Sequence, residues 1–234
     1  LKKISTIDRL IVALDVPDQT QALKLLDRLF WQVSFVKVGL ELFASGQGIA
    51  LIEELAGQGY RVFADFKFHD IPQTVYRAVR NLNDIGVDFL TVHCYPGVME
   101  AAVDAAEDIS ILGVTVLTSM SDDDLVRSGY SGGVIQTVQN RAELAYSCGC
   151  AGVVASGYEA RAIRDRFGSD FIIVTPGVRM DESSSDDQKR IVSVEKALQM
   201  GSDYLVVGRE IRDAWCPGIV VHKMQSKIRA ALAS

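Results

Sequence analysis

The sequence predicts an α/β protein folded as one (β/α)8 TIM barrel, a single domain over residues 1–234. Three observations predict it. Eight short, β-rich apolar runs are separated by stretches of helical periodicity, and strands that alternate with helices imply parallel βαβ units. Most of those runs are continuously apolar rather than alternating, as strands covered on both faces must be. The chain of 234 residues is close to the roughly 250 that one such barrel needs, and no low-complexity linker divides it. A doubly wound open sheet is the alternative. It lacks its dinucleotide fingerprint, because Leu14-Asp15-Val16-Pro17-Asp18 stands where Gly-x-Gly-x-x-Gly would follow the first strand.

The strands are read in order as Leu10 to Leu14, Phe35 to Val38, Arg61 to Ala64, Phe89 to Val92, Ile111 to Leu117, Gly152 to Ala155, Phe171 to Val174 and Tyr204 to Val207. Each is rich in β-branched, aromatic or other apolar residues. Helical spacing recurs between most of them, at Thr20 to Leu29, Ile49 to Leu55, Val75 to Leu82, Val98 to Ala106, Val134 to Ser147, Tyr158 to Arg166 and Ser193 to Met200. The stretches Ser119 to Gly133 and Asp181 to Asp187 are polar and read as longer loops. Both follow strands, which in a parallel barrel places them over the catalytic mouth.

Composition narrows the function. With 48% hydrophobic and 23% charged residues, the chain is globular rather than disordered. A net charge of -6 and the lack of a long Lys/Arg run argue against a nucleic-acid surface. A small anion, which needs only a few donors, remains admissible. No apolar stretch reaches the roughly 18 residues of a membrane span, and Leu1-Lys2-Lys3 is not followed by a signal-peptide core. The expected location is the cytoplasm. Cys94, Cys148, Cys150 and Cys216 lack paired CxxC spacing, and His69, His93 and His222 are scattered, so no metal site is expected.

The most informative segment is Asp65-Phe66-Lys67-Phe68-His69-Asp70-Ile71-Pro72-Gln73-Thr74. Alternation along a strand puts Asp65 and Lys67 on one face, with Phe66 on the other. Adjacent negative charge favours an ammonium, which suits Lys67 to donating a proton rather than to forming a Schiff base. Lys37 lies inside the apolar run Phe35-Val36-Lys37-Val38-Gly39, where an unpaired charge is costly. It needs a partner, and Asp65 on the neighbouring strand is the nearest candidate. Asp15, Thr118 and Ser119 also follow strands, and a parallel barrel gathers all such ends on one face. A lone Asp there is equally readable as a helix cap.

Late in the chain, Thr175-Pro176-Gly177-Val178-Arg179 and Val207-Gly208-Arg209-Glu210 follow the seventh and eighth strands. Loops at those places often bind phosphate in this fold. Arg179 and Arg209 would add charge-assisted hydrogen bonds.

These residues, in this order from Leu10 to Arg209, resemble the orotidine 5'-phosphate decarboxylase family. The Asp65 to Thr74 segment, Pro176-Gly177-Val178-Arg179 and Val207-Gly208-Arg209 carry the likeness. The resemblance implies cofactor-free conversion of orotidine 5'-monophosphate to UMP in de novo pyrimidine synthesis, by a homodimer whose active sites lie at the interface. It implies an array of Lys37, Asp65, Lys67 and Asp70, with Lys67 as proton donor and Asp70 supplied by the other subunit. It assigns Asp15 and Lys37 to the ribose, and Thr74 to the ribose from across the dimer. It gives Thr118 to the pyrimidine, Gln188 to base and phosphate, Arg209 with Gly208 to the phosphate, and Arg179 to the substrate contacts. A magnesium-dependent sugar-phosphate decarboxylase or aldolase of the same superfamily is the alternative, since it shares Asp-x-Lys-x-x-Asp. The motif gives His69 no chemical role, so it is read as structural. His93, at the end of the fourth strand, stands between packing and lining the site.

Overall fold

The computed structural model describes residues 4–180 and 190–233. Among these described residues ten strands follow in chain order: β1 (Leu10–Ala13), β2 (Phe35–Gly39), β3 (Arg61–Phe68), β4 (Phe89–His93), β5 (Ser110–Val114), β6 (Gly152–Val154), β7 (Ile172–Thr175), β8 (Val178–Arg179), β9 (Val192–Ser193) and β10 (Tyr204–Val207). Eight of them close a parallel barrel in the order β1-β10-β7-β6-β5-β4-β3-β2. The short β8 and β9 pair with each other in a separate parallel ladder. The barrel architecture is therefore the one the alternation of strands and helices predicts.

Two cores follow from the period of a strand. Ile11, Ala13, Phe35, Phe63, Phe89, Leu112, Ile172, Val174, Tyr204 and Val206 fill the barrel interior. Their neighbours in sequence, among them Leu10, Val12, Val36, Val62, Leu90 and Val153, face the surrounding helices. Burial on both sides is what made these runs continuously apolar. At the N-terminal end of the barrel, the Arg61 guanidinium lies 4.2 Å from the Phe35 ring centroid and donates to Asp88 at 2.8 Å. Its charge is thus satisfied while its plane covers the aromatic interior.

The interior positions also fix the site. Two residues beyond a core side chain, a strand returns to the same face. Phe35 therefore leads to Lys37, Phe63 to Asp65, and Phe89 to Thr91 and then His93. The interior changes from apolar to ionic within one layer.

Several boundaries differ from the sequence reading. β3 does not stop at Ala64 but runs to Phe68, with a register shift against β4 between Ala64 and Phe68. The fifth strand ends at Val114 rather than Leu117, because the carbonyls of the next three residues are taken by arginines rather than by a ladder. Within the expected loop from Ser119 to Gly133, a short helix covers Asp122–Arg127, closed by a reciprocal cap between Ser121 and Asp124. A long helix, Pro217–Ala233, buries Val221, Met224 and Ile228. The expected loop from Asp181 to Asp187 lies outside the described residues. Among the described residues, no helix is long and apolar enough to cross a membrane.

Candidate active site

A cavity of about 490 Å³ opens at the C-terminal ends of the barrel strands. Its floor is Ala13, Phe63, Val114, Val154 and Val206, and Asp15, Lys37, Asp65, Lys67, Thr118, Arg179, Gly208 and Arg209 surround it. One side of a bound molecule would meet carbon and the other would meet charge.

Asp65 organises the charged side. Its Oδ1 accepts from the Lys67 ammonium at 2.7 Å, and its Oδ2 lies 3.4 Å from Lys37 Nζ. Lys37 Nζ also donates to Asp15 Oδ1 at 2.7 Å. Two ammoniums and two carboxylates thus alternate. Burial by itself would raise the Asp65 carboxyl, but Lys37 and Lys67 outweigh it and hold Asp65 below the usual carboxylate range. Burial would likewise lower Lys37, yet Asp65 and Asp15 bring it above its ordinary value. The predicted Asp65 partner of Lys37 is present, and Asp15 is a second and nearer one.

Lys67 reaches its position differently from the alternating strand the sequence suggested. Its φ is +51°, the left-handed region that costs a side-chain-bearing residue of order 1–3 kcal/mol. The residue sits in the register shift of β3, so the backbone turns and the ammonium swings back over Asp65. Gly39 has a related steric role. A Cβ there would lie 2.9 Å from Asp15 Oδ1 and 3.0 Å from Lys37 Nζ, so only glycine leaves that pair undisturbed.

The opposite wall is held by two arginines. Arg141 donates to the Thr115 carbonyl, and Arg190 donates to the carbonyls of Val116 at 3.0 Å and Leu117 at 2.9 Å. Arg190 is itself paired with buried Glu159 at 2.7 Å. Burial raises the Glu159 carboxyl despite that pairing. Three successive carbonyls, which in a continuing strand would face a neighbour, instead fix the segment that carries buried Thr118. Neither arginine was visible as a site residue in sequence, since both lie far along the chain from the loop they hold.

Arg179 is buried beside the cavity, and Arg209 begins the short helix that follows β10. Gly177 adopts φ of +72°, a turn that suits glycine. Arg212 Nη1 donates to the Asp15 carbonyl at 2.7 Å, joining the loops after β10 and β1.

The remaining predicted positions lie elsewhere. Asp70 and Thr74 are exposed at the start of the Pro72–Arg80 helix and do not line the cavity. Gln188 lies outside the described residues. His69 is exposed and stacks on Tyr95 with centroids 4.5 Å apart. His93 is half-buried, 5.3 Å from His69, and is lowered by burial, then by His69, Arg141 and Lys67. Neither histidine lines the cavity. Cys94 and Cys150 are buried, whereas Cys148 is half-buried and Cys216 exposed. Burial pushes the Cys94 thiol up to about 12, which makes it a poor nucleophile. Among the described residues, no three His, Cys, Asp or Glu side chains are grouped as metal ligands.

Residues 8–224 match the family model described as orotidine 5'-phosphate decarboxylase / HUMPS family. An orotidine 5'-phosphate decarboxylase of Methylococcus capsulatus is 46% identical over 234 residues, covering 100% of this chain and 97% of the relative. One from Xylella fastidiosa strain M23 is 43% identical over 227 residues, covering 96% and 93%. Among solved structures, the orotidine 5'-phosphate decarboxylase of Lactobacillus acidophilus superposes with a TM-score of 0.82 at 33% identity, covering 94% of this chain and 99% of that one. A charged array at a barrel mouth, a family match over residues 8–224 and relatives of this identity lead to one conclusion: the chain belongs to the orotidine 5'-phosphate decarboxylase / HUMPS family.

Proposed function

We propose that this protein decarboxylates orotidine 5'-monophosphate to UMP in pyrimidine synthesis, with Lys67 as the proton donor. The observation that carries the reading is Asp65 Oδ1 holding the Lys67 ammonium at 2.7 Å at the edge of the cavity. Breaking the bond between C6 and the carboxylate leaves the electron pair in the plane of the ring, where the π system cannot spread it. A fixed cation is what such a charge requires. The Lys67 ammonium stabilises the pair as CO2 departs, then transfers its proton to C6, and the neutral amine regains a proton from water.

The other groups bind and orient. Asp15 and Lys37 face the ribose hydroxyls, Thr118 the pyrimidine, and Arg179, Gly208 and Arg209 the phosphate end. The apolar floor of Val114, Val154 and Val206 excludes water from the departing CO2. The family likeness extends the base and phosphate contacts to Gln188, which lies outside the described residues. Binding energy from the phosphate, remote from C6, holds the ring against the ammonium. Nothing in this scheme needs a cofactor.

Asp70 and Thr74 act in the cavity of a second subunit. Their exposure supports this assignment, as does their position beside exposed Ile71 and Tyr76, a surface able to be covered in a homodimer. The magnesium-dependent reading fits less well, because the carboxylates of Asp15 and Asp65 are already engaged by lysines. Incubation of the protein with orotidine 5'-monophosphate tests the proposal. UMP and CO2 should form at the same rate with and without EDTA. No UMP formation, or its loss with EDTA and recovery with Mg²⁺, would refute it.

A further inference from the structure

We infer that Thr91 is a positioning residue for the proton donor, fixing both the left-handed backbone of Lys67 and the carboxylate that holds its ammonium. The inference rests on the reading of Lys67 as donor. Thr91 is fully buried, on the inward face of β4 one layer above Phe89. Its Oγ1 accepts from the Lys67 backbone N–H at 3.0 Å and donates to Asp65 Oδ1 at 3.0 Å.

The need for such a group follows from the bulge. Where β3 and β4 slip register between Ala64 and Phe68, the ladder cannot serve every backbone donor, and a buried N–H without a partner is costly. The Thr91 hydroxyl meets that need. The directions of both bonds are fixed, since an amide N–H only donates and a carboxylate only accepts. One hydroxyl therefore spans the backbone of Lys67 and the side chain of Asp65. With the bond from Lys67 Nζ to the same Asp65 oxygen, the lysine is held at both its backbone and its ammonium.

Thr91 does not line the cavity, so it acts through Asp65 and Lys67 and not on substrate. Valine has nearly the same shape but neither accepts nor donates. It would leave the Lys67 N–H unserved and hold the Asp65 carboxylate by the two lysines alone, without its tie to β4.

The test compares Thr91→Val, Thr91→Ser and Lys67→Ala. It reads kcat on orotidine 5'-monophosphate, Kd for UMP, and the rate at which the C6 hydrogen of UMP exchanges in D2O. Thr91→Val should lower kcat and C6 exchange together by about 10- to 100-fold, the usual effect of a small misplacement of a reacting group. Its Kd for UMP should stay within about twofold, because its contacts with the ligand are unchanged. Thr91→Ser should restore both rates. Should Thr91→Val fail to fold, Thr91→Cys serves instead, since sulfur accepts weakly, and it should be slower than Thr91→Ser. An unchanged kcat in the valine variant, equal rates for serine and cysteine, or UMP binding lost in step with kcat would overturn the inference. Full turnover by Lys67→Ala would instead overturn the donor reading beneath it.

Discussion

Replacing Asp65 by asparagine should destabilise the folded chain and shift its response to pH at both ends. Removing one member of a buried ion pair costs about 3–5 kcal/mol, because a charge is left without its partner. Two features reduce that figure here. Asp15 still faces Lys37 at 2.7 Å, and the Lys67 side chain, 34% exposed, can be solvated. The expected loss is therefore about 2–3 kcal/mol at neutral pH, the lower part of that range or just below it. Urea denaturation should show it as a lower midpoint with an unchanged slope.

The pH dependence is a separate check. Asp65 is held below its ordinary value, so its contribution is present above the unfolded carboxylate pKa of about 3.9 and is lost as pH falls through the lower folded value. Asparagine should abolish that acid loss. Lys37 is held above its ordinary value, so its contribution is complete below the unfolded lysine pKa of about 10.4 and is lost as pH rises through the folded one. Without Asp65, burial of Lys37 is opposed by Asp15 alone, and the alkaline loss should begin at lower pH. A variant as stable as the parent at pH 7, with the same acid and alkaline limbs, would refute the account of Asp65 as common counter-ion.

Three further outcomes are expected. Arg209→Ala should lower kcat/KM on orotidine 5'-monophosphate by at least about 100-fold, or roughly 3 kcal/mol as for other charged contacts, while leaving the trace activity on phosphate-free orotidine unchanged; steady-state kinetics on both substrates decides it. Gly39→Ala should raise KM several-fold with little change in thermal midpoint, since its Cβ falls on Asp15 Oδ1 and Lys37 Nζ. Arg190→Met leaves Glu159 buried and unpaired, so its stability should fall by about 3 kcal/mol at neutral pH and recover partly in Arg190→Met/Glu159→Leu, as measured by denaturation.

The strands were legible because each is buried on both faces, which writes an apolar run into the sequence, and the charged residues stood out against those runs. Lys37 is the clearest case: a lysine inside Phe35–Gly39 demanded a counter-ion before any fold was known. Three features lay beyond that reach. The left-handed Lys67 depends on a slip between β3 and β4, and strand alternation cannot signal a slip. Thr91 looks like an ordinary β-branched strand residue until β3 is set beside it. Arg141 and Arg190 hold Thr115 to Leu117 only through the closed barrel. Two misses were readable in principle: the cap Ser121-Asp122-Asp123-Asp124 announces a helix, and Val221, Met224 and Ile228 repeat at helical spacing.

The central claim is that Lys67 supplies the proton to C6. The most direct measurement is single-turnover decarboxylation of orotidine 5'-monophosphate by Lys67→Ala, with circular dichroism and the thermal midpoint confirming the fold. A positioned general acid contributes about 10²- to 10⁴-fold and an electrostatic contact to the developing charge about 10²- to 10³-fold. The predicted result is a rate at least about 10⁴-fold below the parent in a folded protein. A folded variant that turns over within about tenfold of the parent, less than the least effect of a general acid, would contradict it.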